Sequence, residues 1–273
     1  VSIDPAHTQA GARIRFEWGH AGAALIRPGG IAVVVDVLSF STTVSVAADL
    51  GVEVLPYPWA RGDAADHARR HGAALAVRRD EASPGQVSLA PGSLRRAGDV
   101  RKVVLPSPNG ATISHRLQSA GARVVAGCLR NATTVGRWAA ARDVDVLVIA
   151  AGERWPDDTL RPAVEDLWGA GAVVDAFATA LPDGGAAARP DGTPGGCSPE
   201  ARAARDAYLA ARAASAAAGW EGLLADLASG RELTAAGHGE DVRIAAEVGA
   251  GESVPLLTGA IGDGHGFVGA QLP

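Results

Sequence analysis

Asp36 closes an apolar run of five residues, Ile31–Val35, and within seven residues Ser41, Thr42 and Thr43 open a helical pattern. A run that is apolar at every position reads as a strand buried on both faces. In an open α/β sheet, ligands bind where strands end and helices begin. A carboxylate at such an end can hold a divalent cation or act as a nucleophile. Hydroxyls and N–H groups at the next helix start can receive an anion. The combination points to chemistry on a phosphate, although the same residues would also serve as an ordinary helix cap.

Two more turns repeat the arrangement. Ser107-Pro108-Asn109-Gly110-Ala111-Thr112 follows the run Val103–Leu105. Asn109-Gly110 is expected to turn with a positive φ and to present N–H groups as an anion nest. Gly127-Cys128-Leu129-Arg130-Asn131 leads into Thr133 and Thr134 after a further run. A fourth strand end carries Glu153 and Arg154, followed by Arg161 and by Glu165-Asp166. Carboxylates and arginines beside an anion nest are what Mg²⁺-assisted phosphoryl transfer requires, because metal and guanidinium neutralise phosphate oxygens. The expected site therefore has Asp36, Glu165 and Asp166 as catalytic residues and Mg²⁺ ligands. Ser41, Thr42, Thr43, Asn109, Gly110 and Asn131 are expected to hold phosphate, with Arg154 or Arg161 on the rest of an anionic substrate. Glu165-Asp166 would equally suit a helix N-terminus.

Other chemistries are disfavoured. A cysteine phosphatase needs C-x5-R, and the position six after Cys128 is Thr134, so Cys128 reads as a packing residue. A haloacid-dehalogenase-type phosphatase needs D-x-D, and Leu38 stands where the second Asp belongs. No G-x4-G-K-[ST] occurs. His67 and His71 lack the Glu of H-E-x-x-H and read as a solvated helix face, and Gly169-Ala170-Gly171 reads as close helix packing rather than a dinucleotide fingerprint.

The elements that must position these residues alternate. Strand-like runs at Ile31–Val35, Val52–Pro56, Ala74–Val77, Val103–Leu105, Arg123–Ala126 and Val144–Ile149 are separated by helical patterns at Ser41–Leu50, Ala60–His71, Ala111–Ala120 and Ala132–Arg142. This predicts an α/β fold of three layers, a largely parallel or mixed sheet flanked by helices. An extra strand is expected at Ala12–Trp18. Helices are expected over Ala163–Leu181, from Ser198-Pro199 to about Ala217, and over Glu221–Ser229 and Glu240–Glu247, with a surface loop at Pro182–Gly196 and a Gly-rich tail after Pro255. The 273 residues suit one unit, or two packed lobes of about 1–160 and 161–273.

Composition narrows the partners. A net charge of -5 argues against nucleic acid. The bases are 24 arginines and one lysine, Lys102, which lies inside a strand-like run, so Schiff-base chemistry is not expected. Two cysteines, Cys128 and Cys197, fit a reducing cytoplasm, and neither a membrane span nor a signal peptide is expected. Self-association into a homo-oligomer stays open.

In order, VVVDVLSFSTT, PSPNGAT, GCLRNATTV, AAGERW with EDLWGAGAVV, and LASGRELTAAGHGEDVRIAAE…VPLL resemble the 2-phosphosulfolactate phosphatase (ComB) family. The resemblance runs from about Ile31 to Leu257. It implies a Mg²⁺-dependent phosphatase with a ComB-like fold that converts 2-phosphosulfolactate to sulfolactate on a coenzyme M route. Its motif positions carry onto Asp36, Asn109-Gly110, Asn131 and Glu165-Asp166. Arg154 or Arg161 would then take the carboxylate or sulfonate end. The sequence departs at Ser39, where the family motif D-V-L-R has Arg, at Ser107–Ala111 against T-T-N-G-T, and at Arg78–Gly85 against G-E-R-G-G. These departures leave two alternatives open, a phosphatase for a different phosphorylated hydroxy acid and an anion-binding homologue without turnover.

Overall fold

The computed structural model describes residues 3–59, 62–182, 196–259 and 266–270. Its strands are β1 (Ile14–Trp18), β2 (Ile31–Val35), β3 (Glu53–Pro58), β4 (Ala74–Leu75), β5 (Lys102–Ser107), β6 (Arg123–Gly127), β7 (Val146–Ala150), β8 (Glu153–Arg154), β9 (Leu160–Arg161), β10 (Val254–Leu257) and β11 (Phe267–Ala270). Its helices are α1 (Gly19–Gly22), α2 (Phe40–Asp49), α3 (Ala64–Arg70), α4 (Pro91–Arg95), α5 (Gly110–Ser119), α6 (Ala132–Ala140), α7 (Val164–Ala180), α8 (Pro199–Asp226), α9 (Ala228–Ala235) and α10 (Gly239–Ala245).

Nine strands form one mixed sheet in the order β1-β7-β2-β6-β10-β11-β3-β5-β4. Each side is parallel, β1-β7-β2-β6 and β3-β5-β4, and the antiparallel hairpin β10–β11 joins them. The alternating strand–helix pattern gave the parallel sides. The hairpin falls in the Gly-rich tail, which sequence periodicity did not mark as strand.

β2 is central because all five of its residues, IAVVV, are apolar and fully buried. Ile31, Val33 and Val35 face one core cluster with α6, α7 and α8, while Ala32 and Val34 face a second with α2 and α5. These are the three expected layers. Register fixes the functional rim: Val35 is level with Gly127 on β6 and Ala150 on β7. On the other side, Pro58 is level with Ser107.

Glycine lets the helical layer close. A Cβ on Gly171 of α7 would lie 2.0 Å from the Ala204 carbonyl oxygen of α8, so only hydrogen fits there. Two expectations need correction. His67 is buried rather than solvated, its ring 5.2 Å from Tyr57 and 4.4 Å from His71. Asn109-Gly110 has no positive φ; Gly110 is the first residue of α5. The helix expected to end near Ala217 breaks at Gly219, where φ is 70°, and a second helical stretch runs on to Asp226. Most of the expected surface loop, residues 183–195, lies outside the described residues, as does the start of the helix expected from Ala60. No described helix is long and apolar enough to cross a membrane.

Candidate active site

Asp36 emerges from β2 into a cavity of about 160 Å³. Ser39, Arg79, Ser107, Pro108, Asn109 and Glu153 also line it. The amide of Phe40 donates to Asp36 Oδ1 at 3.2 Å, and that of Gly110 to Oδ2 at 3.2 Å. The first turns of α2 and α5 therefore both point at this carboxylate. Gly110 is required for that approach, since a Cβ there would stand 2.2 Å from the Phe40 ring. Each carboxylate oxygen retains lone-pair capacity toward the cavity.

Burial, reinforced by the charge of Glu165, raises the Asp36 pKa to about 6, against the opposing pull of the two amides and Arg79. Glu153, on β8, is raised further, to about 7, by burial and by the charge of Asp36. Near neutral pH, Glu153 can both give and accept a proton. Glu165 and Asp166, on the first turn of α7, are buried within electrostatic reach of Asp36. The pKa values of Asp36, Glu153 and Asp166 are thus raised in part by the charges of neighbouring carboxylates, and Arg79, Arg161 and the backbone amides offset only part of that effect.

The predicted residues separate into those that reach the cavity and those that build its frame. Asp36 and Asn109 line it. Asp166 is a brace: its carboxylate accepts from the amides of Val37 at 2.7 Å and Gly152 at 2.8 Å, tying the ends of β2 and β7 to α7. Burial pushes its pKa well up. Ser41, Thr42 and Thr43 are turned inward, not toward the cavity. Their hydroxyls donate to the carbonyls of Val34, Val37 and Leu89 at 2.9, 2.7 and 3.2 Å. Asn131 is likewise inward, accepting from the Cys128 amide at 2.9 Å and donating to the Ala126 carbonyl at 3.1 Å. Cys128 beside it is buried, which pushes its thiol pKa up. The Gly110 amide serves Asp36 instead of forming part of an open nest.

Arg154 and Arg161 stand behind the wall. Arg154 Nε donates to Asn109 Oδ1 at 3.2 Å, so Asn109 Nδ2 faces Glu153 Oε2, also at 3.2 Å. Arg154 also contacts His20 at 2.7 Å and pairs with Asp158. Arg161 lies over the Trp155 ring at 5.9 Å and reaches Ser229 at 3.4 Å. It still acts on the site at a distance, since its charge lowers the Glu153 pKa.

The cation that lines the cavity is Arg79, which the sequence did not single out. Its Nε is held by the nearly fully buried Asp241 at 2.7 Å, and its Nη2 donates to Ser39 Oγ. Arg79 thus brings a guanidinium to the position left by Ser39 in the D-V-L-S motif. It comes from a 3-10 turn, Arg79–Glu81, whose only neighbour in sequence is irregular chain, so no periodicity pointed to it. Glu153 had a signal, its place beside Arg154 at a strand end, but nothing in the sequence separated it from Glu165 and Asp166.

The oxygen-only donor set suits a hard cation such as Mg²⁺, which needs only one or two carboxylates when substrate oxygens and water complete its shell. Among the described residues, no three His, Cys, Asp or Glu are grouped as a metal cage, so Asp36, Glu165 and Asp166 are not assembled into one.

A family model described as 2-phosphosulpholactate phosphatase matches residues 23–260, which include every residue of this site. The chain belongs to that family. The 2-phosphosulpholactate phosphatase family consists of phosphoric monoester hydrolases, and this chain is such an enzyme. Its mixed α/β sheet flanked by helices is consistent with the ComB-like fold. No curated protein matches the chain.

Proposed function

We propose that the chain is a Mg²⁺-dependent phosphatase acting on a small phosphorylated hydroxy acid of the 2-phosphosulpholactate type, with Asp36, Glu153 and Arg79 as the groups that meet the substrate. The observation that carries this is the convergence of two carboxylates with raised pKa values, the buried Asp36 and the half-buried Glu153, and one anchored guanidinium on a cavity of about 160 Å³. Asp36, with Glu165 behind it, would hold the cation, which when bound would offset the charge of the phosphate oxygens and leave Glu153 free to carry a proton.

In this scheme Asp36 supplies the attacking oxygen, its own or that of a water it deprotonates. The P–O bond to the substrate carbon skeleton breaks, and the leaving alkoxide takes the Glu153 proton. Where Asp36 itself attacks, Glu153 recovers a proton from the water that then cleaves the acyl phosphate; where Asp36 deprotonates the attacking water, Asp36 passes that proton to solvent and Glu153 reprotonates from solvent. Arg79 lies opposite and binds a carboxylate or phosphate oxygen, its geometry fixed by Asp241. Asn109, oriented by Arg154, holds Glu153 toward the cavity.

The test is phosphate release from 2-phosphosulpholactate and 2-phospholactate, with Mg²⁺ and with chelator. Turnover is expected only with the cation. Asp36→Asn should remove it, and Glu153→Gln should lower kcat about 10²–10⁴-fold while flattening the limb of the pH profile near 7. Single turnover in ¹⁸O water separates attack by Asp36 from attack by water. Absence of phosphate release from every ester, with binding retained, would make the chain an anion-binding protein instead.

A further inference from the structure

Beyond Arg79 the cavity continues into a groove of about 490 Å³, which shares Arg79, Leu89 and Pro108 with it. The groove's outer wall is Trp59, just past β3, together with Leu233 and Ala236 near the end of α9. Trp59 is 46 % exposed, a large ring left uncovered within reach of a candidate active site. Register explains the proximity: Pro58 and Ser107 are level on neighbouring parallel strands, so Trp59 and Pro108 leave the sheet side by side.

The charges along this groove are already matched. Arg78 lies 3.3 Å from Asp80 and 3.7 Å from Glu81, and Arg79 is held by Asp241. His238 acts electrostatically on Asp80 and Asp241. A second strong anion, such as a sulfonate, would find Arg78 already paired and acidic neighbours there, with Arg79 occupied by the first. A planar apolar group would find an indole face, a proline and two aliphatic side chains, surfaces that favour ring stacking and dehydration.

We propose that this groove is a specificity subsite for an aromatic or similarly flat apolar substituent on the substrate, so that the preferred ester is a 2-phosphorylated hydroxy acid with an aryl side chain. This rests on the phosphatase proposal for which atoms react, and the groove then decides which carbon skeleton is selected. Phosphate and carboxylate stay at Asp36 and Arg79, and the ring lies across Trp59 between Pro108 and Leu233.

The experiment has two readouts. Turnover is compared for 2-phospho-3-phenyllactate, 2-phospholactate and 2-phosphosulpholactate in wild type, Trp59→Ala and Trp59→Phe. Binding of the unphosphorylated acids, phenyllactate against lactate, is measured by calorimetry in the presence of inorganic phosphate. The expected result is a kcat/KM for the phenyl ester at least about tenfold above that for phospholactate. Trp59→Ala should abolish that margin and leave phospholactate turnover unchanged, and Trp59→Phe should restore most of it. The calorimetric preference should fall in parallel. If no ester is hydrolysed, the phosphatase proposal fails, while calorimetry still decides the subsite. Equal binding of phenyllactate and lactate, a preference for the sulfonated ester, or a Trp59→Ala loss shared by all three esters overturns it.

Discussion

At the scale of single residues, Asp36 carries a conflict between function and stability. Two amide donors and a helix start on either side favour its charge, yet burial among Glu153, Glu165 and Asp166 disfavours it more, leaving a pKa of about 6. The folded state therefore holds the Asp36 proton more tightly than the unfolded chain, whose carboxyl titrates near the ordinary 3.8. Asp36 costs nothing differential below the unfolded value. As pH rises toward and past about 6 it removes stability, on the order of 1–3 kcal/mol in the metal-free protein. Glu153 adds a component of the same sign that ends near 7. Urea unfolding of the metal-free protein between about pH 4 and 8 should show stability falling with pH, and Asp36→Asn should make that fall shallower. Slope is the readout, because Asn would turn an NH₂ group against one of the two amides and lower the whole curve. A wild-type curve without a downward slope would contradict the burial of an ionising Asp36. This residue was legible in sequence because a lone carboxylate ends an apolar run. Ser41, Thr42, Thr43 and Asn131 turn their side chains inward for a reason the sequence does not carry: composition marks a hydroxyl or amide near a strand end, and only three-dimensional hydrogen bonding decides whether it faces in or out.

At the scale of elements, periodicity foretold the strands and helices that carry burial, and missed those defined by contact. β2, β5, β6 and β7 and the helices after them stand close to the predicted ranges, because apolar runs and turn residues are local signals. β10 and β11 are held in place by β6 and β3, partners distant in sequence, and β8–β9 is a pair of two-residue strands too short to show a period. Arg79 belongs to the same class, positioned by Asp241 far along the chain. Among the helices, α7 has to satisfy two faces at once. Its first turn presents Glu165 and Asp166 to the site, while Gly171 lets its backbone approach α8. Gly171→Ala should force the pair apart and destabilise the fold by about 1–3 kcal/mol, as overpacking does. Chemical denaturation measures that loss, and KM for the preferred ester should stay unchanged because the contact lies away from the cavity. A variant as stable as wild type would mean that α8 can shift freely, against the packing described here.

At the scale of the whole molecule, the far end of the chain supports the first strand's carboxylate. The β10–β11 hairpin joins the two parallel sides through one bridged pair on each flank, Leu256 with Val125 and Phe267 with Val54. Phe267 is 1 % exposed and meets the Phe40 ring edge-on at 6.1 Å. Phe40 in turn packs over Gly110, and the amides of both residues hold Asp36. A residue some two hundred positions downstream thus sets the spacing of the two helix starts that aim at the Asp36 carboxylate. Phe267→Ala should cost about 3–5 kcal/mol of stability, the usual range for emptying a buried aromatic site. Phe267→Leu preserves most of the volume and should cost less than about 1.5 kcal/mol. It still removes the edge-on ring contact, so kcat should fall severalfold with little change in KM, because Arg79 and the groove, the proposed substrate-binding groups, are left in place. Gly171→Ala supplies the control, a destabilised protein whose kcat is intact. If both variants lower kcat in proportion to lost stability, general loosening explains the effect. If only Phe267→Leu does, the hairpin acts on the site through the Phe40 ring.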